Sequence, residues 1–525
     1  MKVNIDFFKY KYDLIKLTKK KLSSSLFKYL KDNTSTYEFY LNSNYDTTHT
    51  IKGRILNKRS LKNLNFYNIE IEPNKIIQIS LNKKLKENNN DNNSKDNKKQ
   101  ESNNIKLKTG DIIECTGIKT KTLSGSDTLE LNINQNNNLN VISQCFSPLP
   151  KYNYGLKDQE TIYNKRYLDF IINSHKKELI ILRHKVTNYL RNYLIKKNYI
   201  EVETPILSNT KSGAIAKPFI TKHEALNKEL YLRVAPEIHL KKLIISGFNN
   251  IFEIGKNFRN EDISTKHNPE FSSIELYSAY KNYKYMIELN EELLTNIFKN
   301  FSYLNNETLT NTIKFDYYDI IETLENLMHI KFKDVFISNN KKENKFEFNK
   351  LIKNYYENVF TIKYNIDKSS KKLTLKEMLE DIIEIEIENK CNFNNISVIM
   401  HHPIIISPLA KELESKNNDF YENLFSERFE VFYKGFEIVN AYSELNCYKQ
   451  QEERFLEIEN NHNIDKIHDK KDKLTEGEKD FIDALSYGMP PTAGYGLGID
   501  RLVMILSNSN NIKDVISFPI MNKRQ

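Results

Sequence analysis

Between Glu437 and Glu444 the chain reads Glu-Ile-Val-Asn-Ala-Tyr-Ser-Glu, so that Asn440, Tyr442 and Glu444 fall at every second position. Alternation with that period belongs to a β-strand, where side chains two apart share a face. A face carrying an amide, a phenol and a carboxylate does not build an apolar core, because burying such groups without partners costs roughly 1–3 kcal/mol each. It lines a polar cavity, and the fold must supply the other walls. Phe271, Ser273, Glu275 and Tyr277 repeat the device, after Phe258-Arg259-Asn260-Glu261 and a polar loop holding His267 and Asn268. The planar fork of Arg259 suits a phosphate or a carboxylate. In Gly494-Tyr495-Gly496-Leu497-Gly498, alternating glycines strip one strand face of side chains, so that a ligand can lie against the backbone. The run Asp500 to Leu506 then reads as an amphipathic helix with Arg501 in its first turn. A fourth segment, Gly213 to Phe219, is followed closely by Arg233 through Glu237.

Taken singly, each feature has an ordinary explanation. Gly494–Gly498 reads as a tight strand or bulge, Glu430 and Glu437 as surface carboxylates, and His267 as a loop histidine. The glycine run is neither a phosphate-cradling Gly-Lys-Ser/Thr loop nor GxGxxG. His401-His402 makes a poor metal pair, because neighbours on a strand point to opposite faces and Pro403 follows. The combination and the order of the segments carry the argument.

Composition bounds the rest. At 525 residues, two or three domains are expected, and a hydrophobic content of 39% supports packed cores. The formal charge of +9 permits a polyanionic partner without establishing one. Cys115, Cys145, Cys391 and Cys447 form no CxxC pair, so reduced, isolated thiols are expected. No apolar run approaches the roughly 18 residues of a membrane span, and no membrane partner is expected. The lysine-rich N-terminus lacks a secretory core, which leaves a cytoplasmic location with organelle import as the alternative.

Along the chain, residues 1–47 read as a basic extension. From Thr48 to Pro148, short strand-like runs separated by turns indicate a small β-barrel, interrupted at 87–104 by an Asn/Lys/Asp tract without apolar residues that is expected to be disordered. A linker over 149–162 leads to a mixed α+β domain over 163–525, with an insertion or helical subdomain at about 332–395. Leu179, Leu182, Val186, Leu190 and Leu194 predict a helix from Lys176 to about Lys197.

These segments, in this order, resemble the three signature motifs of the class II (subclass IIb) aminoacyl-tRNA synthetases, and specifically the lysyl-tRNA synthetase family. The first motif is the long helix running into Tyr199-Ile200-Glu201-Val202-Glu203-Thr204-Pro205. The second is Phe258 through Phe271, and the third is Gly494 through Arg501. The lysine subgroup is marked by Arg166-Tyr167-Leu168-Asp169, Gly213 to Phe219, Tyr231 to Glu237, Asn440 to Asn446 and Tyr487 to Thr492. The likeness covers about Thr48 to the C-terminus and implies an N-terminal OB-fold anticodon-binding barrel, followed by a catalytic domain built on an antiparallel sheet flanked by helices.

The resemblance also implies roles. Arg259 and Arg501 would be catalytic, holding the substrate carboxylate, the α-phosphate and the distal phosphate. Asn260, Glu261, His267, Asn268, Phe271, Glu437, Ile438, Gly498, Ile499 and Asp500 would complete the ATP site, with Glu261 reading the adenine edge and Phe271 stacking on its face. Glu430 and Glu437 would hold Mg2+ bridging the ATP phosphates. Lysine would meet Gly213 and Glu237 at its α-amino end and Asn440 at its carboxylate. Arg259 and Gly496 would complete the lysine site, and Glu275 and Glu444, flanked by Tyr277 and Tyr442, would receive the ε-ammonium. A buried ammonium needs carboxylates and acceptors, whereas an aspartate pocket would need cations. Arg54 and Phe66 would meet the anticodon of tRNA(Lys), although Phe66 reads equally well as barrel core. The reaction would be ATP-dependent formation of lysyl-adenylate, then transfer to the tRNA 3′ end, by a homodimer assembled through the first-motif helix. The chain departs from the family where His401 and Cys447 replace acids. Rival readings are an aspartate or asparagine ligase, a lysine ligase acting on a protein, and an inactive RNA-binding paralogue.

Overall fold

The computed structural model describes residues 35–82, 107–131, 138–210, 216–301, 313–338, 340–366, 373–414, 420–462 and 474–521. The tract at 87–104, Gly213 and most of the basic extension lie outside these residues. Contacts divide the chain into two units after Glu178.

In the first unit, strands β1 (Thr48–Ser60), β2 (Leu64–Glu72), β3 (Lys75–Asn82), β4 (Ile112–Lys121) and β5 (Asp127–Leu131) close into a barrel in the order β1-β2-β3-β5-β4, with β4 returning to β1 and β6 (Leu139–Ser143) lying beside β4. The short strand-like runs alternate their apolar residues inward: Ile51, Ile55, Tyr67, Ile69, Ile77, Ile79, Ile113 and Leu129 fill the barrel. Phe66 is half-buried and outside that core, since its neighbour Tyr67 takes the inward position. Arg54 donates through Nη1 to Gly110 O at 2.8 Å. The segment expected to be a linker contains a short 3₁₀ turn, Tyr152–Tyr154, and the helix Gln159–Asn164.

The second unit is built on an eight-stranded sheet in the order β13-β14-β15-β16-β17-β12-β11-β7. Its members are β7 (Ile200–Glu201), β11 (Asn250–Phe258), β12 (Glu270–Ala279), β13 (Phe315–Asp319), β14 (Ile396–Met400), β15 (Arg428–Tyr433), β16 (Phe436–Ser443) and β17 (Thr492–Gly498). A separate three-stranded sheet holds β8 (Leu207–Ser208), β9 (Ile220–His223) and β10 (Lys228–Leu232). The large sheet is the one expected between helices, and it is mixed. Its centre is antiparallel, but the edge pairs β7–β11 and β13–β14 are parallel.

One face of this sheet packs on helices. The helix Lys177–Lys196 buries Leu182, Val186, Leu190 and Leu194, the spacing seen in the sequence, and Leu179 stays half-buried. Helices Tyr283–Phe301 and Ile499–Ser507 add Met286, Leu293, Val503 and Met504 to the same core, each worth about 1.5–3 kcal/mol of burial. Between β13 and β14, helices Phe332–Val335, Lys341–Tyr355, Thr361–Lys363 and Leu375–Glu386 gather a second apolar cluster around Phe332, Phe348, Phe360 and Ile382. The other face of the central strands is left open, and the polar residues lie there.

Candidate active site

The glycine strand is the floor of the site. β17 runs between β12 and β16, so its glycines face polar residues of the neighbouring strands. Gly494 pairs with Tyr277 and Tyr442, Gly496 with Glu275 and Asn440, and Gly498 with Ser273. The intervening Ala493, Tyr495 and Leu497 point into the apolar core. A cavity of about 400 Å³ opens over the glycines, lined by Arg259, Glu261, His267, Asn268, Phe271, Glu275, Tyr277, Glu237, Glu437, Ile438, Asn440, Tyr442, Glu444, Gly496, Gly498, Asp500 and Arg501. Strand alternation thus brings together residues separated by more than two hundred positions.

At one end the cavity is strongly acidic. Glu237 opens the helix Glu237–Ile245, and its Oε1 accepts from Tyr442 Oη at 2.7 Å. Tyr442 thus joins Glu237 to the pair of carboxylates, Glu275 and Glu444, beside which it was expected. Glu275 Oε2 accepts from Tyr277 Oη at 3.3 Å. Burial, reinforced by the charge of Glu237, pushes the Glu275 carboxyl up to about 8. Glu444 is also raised, by burial, against the pull of Lys241. Its Oε2 lies 2.5 Å from Lys241 Nζ, while Oε1 has no hydrogen-bond partner among the described residues.

The other end is basic. Arg259 follows β11 directly, and its guanidinium carbon sits 5.2 Å from the centre of the Phe271 ring. Arg501, in the first turn of its helix, donates through Nη1 to Glu437 O at 2.7 Å and to Glu437 Oε2 at 3.1 Å. Its Nη2 lies 3.1 Å from His267 Nε2, and burial together with this cation lowers the His267 pKa, leaving the ring neutral as an acceptor. Burial and the charge of Glu430 raise Glu437.

Beside this cavity lies a second one of about 480 Å³, lined by Glu380, Glu384, Glu388, Glu430, Glu437 and Arg428, among others. Glu430 is held well below its ordinary range: burial alone would raise it, but Arg428 and His402 more than offset that. Burial and the charges of Glu430 and Glu437 drive Glu388 up to about 8. Among the described residues, no group of three or more His, Cys, Asp or Glu is arranged to hold a metal ion by itself.

Several expected site residues stand elsewhere. Asn260 is exposed, outside the cavity lining, with its N–H donating to Lys217 O at 2.8 Å. Ile499 is buried in the main core, outside the cavity lining. Asp500 lines the cavity, but its carboxylate joins Arg183 and accepts from Ser272 N at 2.6 Å, which ties the helix to the sheet. His401 sits at φ 63° with Nδ1 2.8 Å from Asp319 Oδ2, away from the lining, and Cys447 is exposed. Two neighbours were missed. Arg428 donates to Asn440 Oδ1 at 3.2 Å and pairs with Glu430; its place two residues before Glu430, on the same strand face, was the available signal. Lys241, four residues after Glu237 on a helix, was the other.

The chain matches the family described as tRNA synthetases class II (D, K and N) over residues 158–522. It is 40% identical over 482 residues to a lysine–tRNA ligase of Buchnera aphidicola subsp. Cinara cedri, covering 91% of this chain and 87% of the relative. To a lysine–tRNA ligase of Clostridium kluyveri it is 36% identical over 508 residues, 95% of this chain and 90% of the relative. To lysine–tRNA ligase 2 of Methanosarcina acetivorans it is 37% identical over 424 residues, 79% and 76% of the two chains.

Proposed function

The chain belongs to the class II tRNA synthetases (D, K and N), and within that family we propose that it is a lysine–tRNA ligase, activating lysine with ATP and transferring it to tRNA(Lys). The observation that carries the choice of amino acid is the acidic end of the cavity. Glu237, Glu275 and Glu444 converge there with two phenols, which suits two ammonium groups and repels a side-chain carboxylate.

In this reading lysine lies along the glycine floor, its ε-ammonium toward Glu275 and Glu444 and its α-ammonium toward Glu237. Asn440 and Arg259 orient its carboxylate, which attacks the α-phosphorus as pyrophosphate leaves. The tRNA 3′-terminal hydroxyl then attacks the adenylate carbonyl and AMP leaves. Arg259 and Arg501 answer charge developing on the phosphates, and Phe271 and Glu261 hold the adenine. Acceleration comes from positioning and charge, without a dedicated general base.

The donors fit magnesium. Glu430 and Glu437 offer oxygen ligands, and Glu380, Glu384 and Glu388 line the same cavity beside them. Magnesium takes one or two carboxylates and completes its shell with phosphate and water, so a self-sufficient protein cage is not needed. When bound, it would neutralise phosphate charge.

The barrel is proposed to read the anticodon, with half-buried Phe66 offering a stacking face beside its cross-strand partner Arg59. Ile195, Ile200, Ile206 and Leu207, exposed around the first motif, support a homodimer through that region. No helix among the described residues is long and apolar enough to cross a membrane. We place the enzyme in the cytoplasm, which a fluorescent fusion of residues 1–47 tests: accumulation in an organelle would contradict it.

The whole reading is tested by charging purified tRNA with lysine, aspartate and asparagine in parallel. Charging with lysine alone is expected; charging with either of the others in its place would contradict it.

A further inference from the structure

Lys241 is sealed inside the acidic end of the site. Its side chain has no exposure to solvent, and its Nζ lies 2.7 Å from Glu237 Oε1 and 2.5 Å from Glu444 Oε2. Its walls are the rings of Tyr442 and Phe481, each 5.7 Å from Nζ. Phe481 is brought there by the helix Glu476–Ser486, whose start is fixed by a Thr475–Glu478 capping box. Counted formally, three carboxylates against one resident ammonium leave two negative charges, the number that the two ammonium groups of free lysine answer as they displace the protons that burial holds on Glu275 and Glu444. Glu444 is engaged through one oxygen only, and its free Oε1 would overlap a Cβ placed on Gly494, at the cavity floor.

We propose that Lys241 is a positioning residue for the amino-acid substrate: its buried ammonium clamps Glu237 and Glu444 as oriented acceptors and sets the lysine-bound pocket at two negative charges for the substrate to answer. This rests on lysine being the substrate.

The surroundings agree. Burial alone would lower the Lys241 pKa, and the two carboxylates more than offset it, so the side chain stays charged. The other groups facing this end are Glu275 and Tyr277 from β12, Tyr442 from β16 and the Arg233–Glu253 pair, whose Nη1 and Oε1 lie 2.5 Å apart. β17 contributes only glycines to this face. Without Lys241, three close carboxylates would hold their protons to higher pH, and lysine would have to displace more of them.

The test is lysine-dependent ATP–pyrophosphate exchange across pH, using full-length protein. Lys241→Met is expected to raise the lysine KM near pH 7 by about tenfold and to move the acid limb of kcat/KM for lysine up by about one pH unit, with recovery near pH 8.5. The ATP KM should hold steady, and Lys241→Arg, which keeps the charge, should keep the limb in place. Lys241→Met combined with Glu444→Gln restores the charge count, so its limb is expected at the wild-type position, whether or not the single variant folds. An unmoved limb in Lys241→Met, lysine and ATP KM rising together at every pH, or a displaced limb in the double variant would overturn the proposal. If the wild type itself gave no exchange with lysine, the substrate reading would fail first.

Discussion

Glu444 Oε1 occupies the space that a Cβ on Gly494 would need, and the same Cβ would come within 2.8 Å of a ring carbon of Tyr277. The missing side chain on β17 is therefore a condition for the acidic end of the site. Gly494→Ala should raise the lysine KM by about tenfold or more through displacement of an acceptor, the scale of a lost charged hydrogen bond. Gly498 offers the contrast, since a Cβ there meets nothing within 4 Å. Gly498→Ala should keep the fold and the lysine KM and weaken ATP instead. Steady-state kinetics with each substrate varied would detect the split.

Glu275 is proposed to receive the same ammonium from β12. Replacing it with Gln keeps the shape and removes the charge, so lysine KM should rise about 10- to 100-fold, from the roughly 1.5–3 kcal/mol of a charged hydrogen bond. The ATP KM should change little. Equal losses for both substrates would refute the ε-ammonium role.

The raised Glu275 carboxyl has a pH consequence. Its pKa of about 8 without ligand means it is mostly protonated at neutral pH, and an ammonium ligand needs it charged. Glu444, raised to about 8 as well, must lose its proton to serve the same ammonium, so lysine binding near pH 7 should release one to two protons, and affinity should fall as pH drops below about 8. Calorimetry in two buffers of different ionisation enthalpy reads the proton count. Proton uptake would contradict the account.

Asp500 should behave as a structural clasp. It is buried, pairs with Arg183 and accepts the Ser272 N–H. Asp500→Ala removes the ion pair, leaving Arg183 only Val515 O, and takes the acceptor from Ser272 N–H, at a cost of about 3 kcal/mol. A fall of several degrees in the unfolding midpoint is expected, and thermal unfolding followed by circular dichroism measures it. An unchanged midpoint would leave Asp500 without that role.

The proposed RNA role of Phe66 predicts a separation of the two reaction steps. Phe66→Ala should impair tRNA charging and spare adenylate formation, because the barrel core does not contain it. Unchanged charging would remove it from the RNA surface.

The sequence made the site legible wherever its information was local. Period-two alternation placed Asn440, Tyr442 and Glu444 on one face, and helical spacing predicted the buried residues of Lys177–Lys196. Long-range register was invisible: nothing local says that Glu275 lies opposite Gly496. The ion pair from Lys241 to Glu444 spans two elements and was missed for the same reason, although its i,i+4 relation to Glu237 could be read. Motif membership also blurred different tasks. Arg501 and Glu437 face the cavity, whereas Ile499 packs in the core and Asp500 ties a helix to the sheet. Both parallel edge pairs of the large sheet likewise depend on chain crossovers that short-range pattern does not reveal.

The central claim is activation of lysine at the acidic end of the glycine-floored cavity, and ATP–pyrophosphate exchange measures that step without tRNA. Across lysine, aspartate and asparagine, only lysine should drive exchange, and Glu275→Gln should raise the lysine concentration needed. Exchange driven by aspartate or asparagine, or none with lysine, would contradict it.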